Sequence, residues 1–235
     1  MRSVLDDRGY SQGFKPGKAL QVRTERRCNL IVNEMNIRRD TTILEIGCGR
    51  GEMAYTIAQK TNAALLGVDL CVPFIEEAKR KYPLDNLNFE VMDFNNPEIL
   101  NGGKFDYIIG NGILHHLYYN LNEALKNIRL LLKENGKIIF MEPNLKNPYC
   151  YLIFTYPYFR KKAKLEPGEM AFTRKFIGKK LEESGFSKIK AGYRDFLVPG
   201  IPGIFINPSI IIGNLAESLP GINNLAQSLF IIADK

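Results

Sequence analysis

Histidine and cysteine are scarce in this chain of 235 residues, and uninterrupted apolar runs of membrane-spanning length are missing. The two histidines, His115 and His116, are neighbours, and the four cysteines (Cys28, Cys48, Cys71 and Cys150) contain no C-x-x-C pair. A His/Cys zinc site of ordinary spacing cannot be assembled from that supply, so no metal is expected. The wide cysteine spacing suits reduced thiols in a cytoplasmic setting better than a disulfide framework. The start, MRSVLDDRGY, carries no apolar stretch, and no signal peptide is expected. The longest apolar region, FLVPGIPGIFINPSIII at residues 196–212, is interrupted by Pro199, Pro202 and Pro208. Prolines remove backbone donors that a membrane span would need, which argues against a transmembrane helix there. Internal repeats and low-complexity tracts are absent as well.

What is present is the balance of a globular domain. Hydrophobic residues make up 45% and charged residues 24%, enough apolar material for a core and far from a disordered composition. The net charge of +7 suits an anionic partner such as nucleic acid, a phosphate-bearing lipid or a membrane face, and equally a merely solubilising surface. Basic residues gather at 23–27 and 160–164, in clusters too short to be a nucleic-acid tail.

Hydrophobic periodicity predicts a helix over 18–35, then alternating elements. Strands are expected at 41–46, 64–69, 88–92, 105–109 and 137–141. Helices are expected at 52–60, 72–81 and 121–132, the last closed by Asn135-Gly136 as a C-cap. After residue 141 the character changes. NPYCYLIFTYPYF (147–159) is dense in tyrosine and phenylalanine and is followed by Arg160, Lys161 and Lys162. A helix at 173–184, a strand at 188–193, the proline-broken segment and a last strand at 228–233 complete the chain. Continuous apolar strands between amphipathic helices mark an α/β fold with a parallel sheet covered on both faces. Ligands in such sheets bind beyond the carboxyl ends of the strands, near the point where strand order reverses.

The first strand leads into ILEIGCGRGEMAYTIAQK (43–60). Gly47, Gly49 and Gly51 give G-x-G-x-G, and Glu52 stands where a dinucleotide turn has its third glycine. An acid at that helix start repels a pyrophosphate, and Glu45 adds a second negative charge. The turn therefore suits a ligand carrying an ammonium and a sulfonium rather than phosphates, which also argues against a nicotinamide-dependent oxidoreductase. Asp69, at the end of the second strand, can accept both hydroxyls of a ribose. Asp93, after the third strand and followed by Phe94, can accept from an adenine amino group. Each acid alone could be a turn or helix cap. Three in succession at strand ends point to a nucleoside site.

E-I-G-C-G-R-G, then V-D-L, V-M-D-F, F-D-Y-I-I-G-N-G-I-L-H-H-L and L-K-E-N-G-K-I-I-F-M-E-P-N together resemble a class I S-adenosylmethionine-dependent methyltransferase, similar to the type 11 small-molecule group. The resemblance spans about residues 40–142. It implies a Rossmann-like, seven-stranded, mostly parallel sheet with helices on both faces and an antiparallel last strand. It further implies one methyltransferase domain over 1–235, with a cap helix region (1–39), a cofactor-binding core (40–142) and an acceptor-side elaboration carrying the last two strands (143–235). Carried onto this chain, Glu45 and the turn Gly47, Gly49, Gly51 hold the methionine part of S-adenosylmethionine. Asp69 takes the ribose hydroxyls with Leu70 against the adenine, Asp93 and Phe94 frame the adenine from its other side, and Asn111 lies beside the methionine chain.

Methyl transfer needs alignment and, for a hydroxyl acceptor, removal of a proton. The fourth and fifth strands end near His115 and Glu142, a candidate general base and the carboxylate that orients it; His116 is the second candidate. Either histidine could instead cap the following helix. No [DN]-P-P-[FYW] follows the fourth strand, where Asn111-Gly112-Ile113-Leu114 stand, and no cysteine lies near enough to serve as a C5-cytosine nucleophile. Nucleic acid is thus not the expected acceptor, although an RNA methyltransferase remains an alternative, as does a non-catalytic protein that only binds the cofactor. The expected acceptor is a small or lipid-like molecule methylated on oxygen. The aromatic stretch and residues 196–212 are expected to form its pocket, a lid or a dimer surface. A peripheral membrane contact is a further expectation, with the Arg160–Lys162 charges near lipid phosphates.

Overall fold

In strand β1 (Thr42–Ile46), successive side chains point to opposite faces, and both faces are buried. Leu44 and Ile46 join Ile108, Ile138 and Phe140 in one core; Ile43 joins Ile109, Ile139 and Met141 in the other. The sheet is therefore the middle layer of three. The computed structural model describes residues 17–93 and 104–235, together with Leu5. The expected contribution of Phe94 lies outside the described residues.

Six more strands complete the sheet: β2 (Ala64–Asp69), β3 (Leu87–Val91), β4 (Phe105–Asn111), β5 (Leu132–Pro143), β6 (Ser187–Arg194) and β7 (Ser228–Asp234). Their order is β3-β2-β1-β4-β5-β7-β6. Strands β1 to β5 pair in parallel, and β7 runs antiparallel to both β5 and β6. This is the Rossmann-like, seven-stranded arrangement that the resemblance implies. Strand order reverses between β1 and β4, so the crevice outside their carboxyl ends is where a ligand belongs.

Helices α1 (Lys18–Asn33), α2 (Glu52–Thr61) and α3 (Val72–Lys81) supply Cys28, Ile57 and Ile75 to one core. Helices α4 (Leu121–Leu131) and α7 (Arg174–Glu183) supply Leu125, Ile128 and Ile177 to the other. On α4 the buried residues fall at 121, 124, 125, 128 and 131, the stripe of an amphipathic helix.

One local expectation is corrected. Asn135-Gly136 does not cap α4; Leu132 is the extended C-cap, and β5 begins there. Burying Leu132 and pairing it with Phe105, ahead of an irregularity in the β4–β5 register, wins over the local turn signal. The aromatic stretch forms α5 (Pro148–Thr155) and α6 (Pro157–Lys162). The Asn147 side chain accepts from Cys150 N–H at the α5 N-terminus, and each helix starts on a proline, whose missing donor costs nothing there. The proline-broken segment contains helix α8 (Ile206–Ser218), with Pro208 tolerated in its first turn. Among the described residues no helix is long and apolar enough to cross a membrane.

Candidate functional site

The glycine turn leaves β1 at the strand-order reversal. Gly47, Gly49 and Gly51 have φ of +66°, +54° and +84°, a left-handed region that side chains penalise. A Cβ at Gly51 would stand 2.6 Å from the Phe89 ring, so that glycine also serves packing. A Cβ at Gly49 would meet nothing within 4 Å, which leaves open space against the turn.

Asp69 spans this turn. Its Oδ2 accepts from Gly49 N–H at 2.9 Å, and its Oδ1 accepts from Cys71 N–H at 2.8 Å, where α3 begins. The carboxylate thus joins the ends of β1 and β2. Asp93 follows β3 beside it, because Met92 N–H donates to Asp69 O at 3.0 Å. Leu70 is half-buried next to Asp69.

Glu45 is buried within β1, and its Oε2 is one of two buried side-chain atoms without a hydrogen-bond partner among the described residues. Burial, then the charges of Glu52 and Asp69, push its carboxyl well above the ordinary glutamate range. An unsatisfied acid beside two others is costly to fold, and a positively charged group would relieve it. Glu45, Glu52 and Asp69 give the turn an acidic character that suits the ammonium and ribose of the expected cofactor better than phosphates, and the arginine within the turn, Arg50, is paired with Glu77 at 3.3 Å.

Across the switch point, β4 and β5 deliver the second half of the site. Gly112 N–H donates to Met141 O at 2.7 Å, which sets Glu142 below the turn that follows β4. That turn is a 3-10 helix over Leu114–Asn120. Glu142 Oε1 accepts from Ile113 N–H and Leu114 N–H at 3.0 and 2.8 Å, and Oε2 accepts from His115 N–H at 3.2 Å. His115 Nδ1 lies 3.0 Å from the same Oε2. An ionised carboxylate only accepts, so Nδ1 carries the proton and Nε2 is the basic nitrogen. The expected pairing of His115 with Glu142 is present, and Glu142 does not end its strand in solvent: its side chain is 0% exposed.

His116 is held differently. Its Nδ1 lies 3.3 Å from Oε1 of Glu169, a buried residue that no sequence signal marks. Burial lowers the His116 pKa, but the hydrogen bond and charge of Glu169 outweigh it, and the net shift is upward. Glu169 is held below the usual carboxylate range: burial opposes this, and the His116 hydrogen bond prevails. The two imidazole rings are 4.1 Å apart. His115, His116 and Glu169 offer possible ligand atoms within 4.8 Å of one another, a grouping that the expectation of no metal did not foresee. Each Nδ1 faces a carboxylate, Glu142 for His115 and Glu169 for His116.

Asn111 is engaged from an unexpected side. Arg27 of α1 donates to its Oδ1 at 2.5 Å, and also to Asp195 Oδ2 and Ser228 Oγ. Arg23 donates to the same Asp195 oxygen at 2.6 Å. Burial alone would raise the Asp195 pKa, but Arg27 and Arg23 hold it low; burial and Arg27 push Arg23 down to about 10. In sequence these arginines read as a surface cluster. Their spacing at 19, 23, 27 and 31, shared with buried Ala19 and Ile31, was the signal that they face inward.

Comparison with known proteins agrees with this fold. A family model described as a methyltransferase domain matches residues 37–177. The polyketide synthase PksR of Bacillus subtilis is 30% identical over 123 residues, which are 48% of this chain and 5% of that protein. The ribosomal protein L11 methyltransferase of Clostridium botulinum is 31% identical over 99 residues, 41% of this chain and 31% of that protein. The chain therefore spans a small part of the curated relatives it matches. Among solved structures, a SAM-dependent methyltransferase from Archaeoglobus fulgidus superposes with a TM-score of 0.67 at 19% identity, covering 96% of this chain and 98% of that one. The CurJ carbon methyltransferase gives 0.62 at 20% identity, over 97% and 58%. At these identities the structural likeness is one of fold.

Proposed function

The chain belongs to the methyltransferase-domain family, and from that membership we propose that it methylates a small or lipid-like acceptor on oxygen. Its cofactor is S-adenosylmethionine, which supplies a methyl group activated by a sulfonium for in-line displacement. Glu45 and the turn Gly47, Gly49, Gly51 would hold the methionine part, with Asn111 alongside. Asp69 would take the ribose hydroxyls, and Leu70, Asp93 and Phe94 the adenine. Two features support that fit: the unpartnered Glu45 Oε2 and the open space over Gly49.

The observation that carries the chemistry is the His115–Glu142 pair at adjacent strand ends. With Nδ1–H held by Glu142, His115 Nε2 would take the proton of an acceptor hydroxyl, while the bound cofactor would supply the methyl group and leave as the thioether once its sulfur–methyl bond breaks. Glu142 fixes the ring and offsets the positive charge it gains. His116, whose pKa the hydrogen bond and charge of Glu169 raise against burial, stands beside it with the two rings 4.1 Å apart. Residues 143–235 supply the acceptor side: the Phe154 ring of α5 meets the His115 ring edge-on at 5.9 Å.

A carbon acceptor is the second reading. The relatives include polyketide synthases and a carbon methyltransferase, and a base of this kind also serves a carbon acid flanked by carbonyls. Calorimetric titration with S-adenosylmethionine, S-adenosylhomocysteine and NAD tests the cofactor: the first two bind and NAD does not. Binding of NAD alone would overturn the proposal. Transfer from cofactor with a carbon-13 methyl then identifies the linkage by the product's methyl chemical shift.

A further inference from the structure

Of the large hydrophobic side chains exposed among the described residues, all but Leu5, Tyr119 and Leu130 lie between residues 149 and 225. Ordinary surfaces scatter such residues singly, and a continuous patch signals a contact. Helix α8 shows how it arises. Ile206 and Gly213 are buried and Ile210 packs with Ala19 and Leu197 below it, yet Ile211, Ile212 and Leu215 are exposed by 69, 67 and 61%. The helix is thus apolar on both sides, and among the described residues only one side is packed.

The exposed elements adjoin. Asn147, at the start of α5, donates to Leu225 O at 2.6 Å, and Cys150 Sγ approaches Gln227 O. Asn223 N–H donates to Leu219 O, linking this segment back to the end of α8. Between α5 and the segment runs an open groove of about 570 Å³, bordered by Tyr151, Pro148, Lys146 and Asn224.

The exposed charges of α5, α6 and α8 have one sign. Residues 143–165 contain Lys146, Arg160, Lys161, Lys162 and Lys164 and no acid. Residues 196–227 contain a single charged residue, Glu217, and it points inward, accepting from Asp195 N–H and lying 3.7 Å from Arg194. Arg160 is also spoken for, since its guanidinium donates to Phe154 O, Glu169 O and Glu166 O. That corrects the expectation that Arg160 faces lipid phosphates. Lys161 and Lys162 are exposed at the end of α6, beside exposed Tyr158 and Phe159.

Aromatic side chains, aliphatic side chains and lysines without acids are the composition that settles at an anionic bilayer surface. A symmetric contact with a second copy would set this all-positive rim against itself. We propose that the face formed by α5, α6, α8 and residues 219–225 docks on an anionic lipid surface, with Ile211, Ile212 and Leu215 entering the acyl boundary and Lys161 and Lys162 at the headgroups. This docking does not depend on which acceptor atom is methylated.

The test is co-sedimentation of the intact protein with vesicles of phosphatidylcholine and phosphatidylglycerol in equal parts, against phosphatidylcholine alone. The protein should pellet with the anionic vesicles, less so as salt rises, and stay in solution with the neutral ones. Lys161→Gln with Lys162→Gln should weaken partitioning roughly thirtyfold, the factor expected for two interfacial lysines. Ile211→Ser, Ile212→Ser and Leu215→Ser together should abolish it. Both variants should keep S-adenosylhomocysteine affinity, which certifies the fold. No binding at low salt, or binding that neither variant alters, overturns the proposal. So does a dimer by light scattering that the serine variant dissociates, since a second copy then covers the face. Loss of cofactor binding by the unaltered protein would strike the methyltransferase reading and leave this one standing.

Discussion

His115 Nδ1 and Glu142 Oε2 lie 3.0 Å apart, although 27 residues separate them in the chain. The pair exists because β4 and β5 are neighbours in register, Asn111 beside Met141, so the next residues of each strand meet. Replacing His115 by alanine should lower turnover about 10²- to 10⁴-fold, the usual contribution of a general base, and leave S-adenosylhomocysteine affinity nearly unchanged. Single-turnover rates and calorimetry check the two halves; unaltered turnover removes His115 from the chemistry.

Glu142 should matter to the fold as well as to the rate. Glu142→Ala strands three backbone N–H groups and an imidazole, and should cost about 3–5 kcal/mol of stability. Glu142→Gln keeps an acceptor and should cost far less, while turnover still falls because a neutral amide no longer stabilises the charged ring. Urea denaturation beside activity separates the effects.

The His116–Glu169 pair makes stability depend on pH in two directions. The His116 pKa is raised in the fold, so its contribution is complete below the ordinary histidine value and is lost as pH rises through the folded value. The Glu169 pKa is lowered, so its contribution is present above the ordinary glutamate value and is lost as pH falls through the folded value. Thermal melts of the unaltered protein and of Glu169→Gln should therefore differ most at mildly acidic pH and converge at both extremes. A constant difference across the range would show that the pair is not an ion pair.

Two glycines of the turn should respond differently to alanine. Gly51→Ala drives a methyl to within 2.6 Å of Phe89 and should destabilise the domain. Gly49→Ala meets open space and carries only the left-handed backbone penalty, about 1–2 kcal/mol, so it should fold and lose cofactor affinity. Equal melting losses with unchanged affinity for Gly49→Ala would mean that nothing binds over the turn.

Asp195 answers buried Arg27 and partly buried Arg23, and Asp195→Asn should cost about 3–5 kcal/mol by leaving them uncompensated. Arg27→Met should cost less, because Arg23 still neutralises the carboxylate. Denaturant midpoints test the order; the reverse order would assign the main role to Arg27 itself.

Much of this was legible in one dimension. The strands that are apolar throughout, the amphipathic stripe of α4 and the glycines at 47, 49 and 51 act through neighbours a few residues away, and periodicity and turn chemistry capture such effects. The acids Glu45, Asp69 and Asp93 could be placed because each ends or nearly ends a strand, and parallel strands bring their carboxyl ends together. The failures have the opposite character. Asn135-Gly136 is a sound local cap signal, overridden by burial of Leu132 against a strand nearly thirty residues earlier. Arg27 and Arg23 looked like surface charge because their answer, Asp195, lies about 170 residues away.

The sequence alone determined the fold class and placed the glycine turn, the strand-end acids and the His115–Glu142 pairing, since each follows from short-range pattern plus the alternation of strands and helices. Only the tertiary structure decided that Glu169 holds His116, that Arg27 reaches Asn111, and that α8 leaves Ile211, Ile212 and Leu215 exposed. Those depend on which distant surfaces are pressed together, and burial and charge pairing across the fold are set by three-dimensional packing rather than by residue spacing.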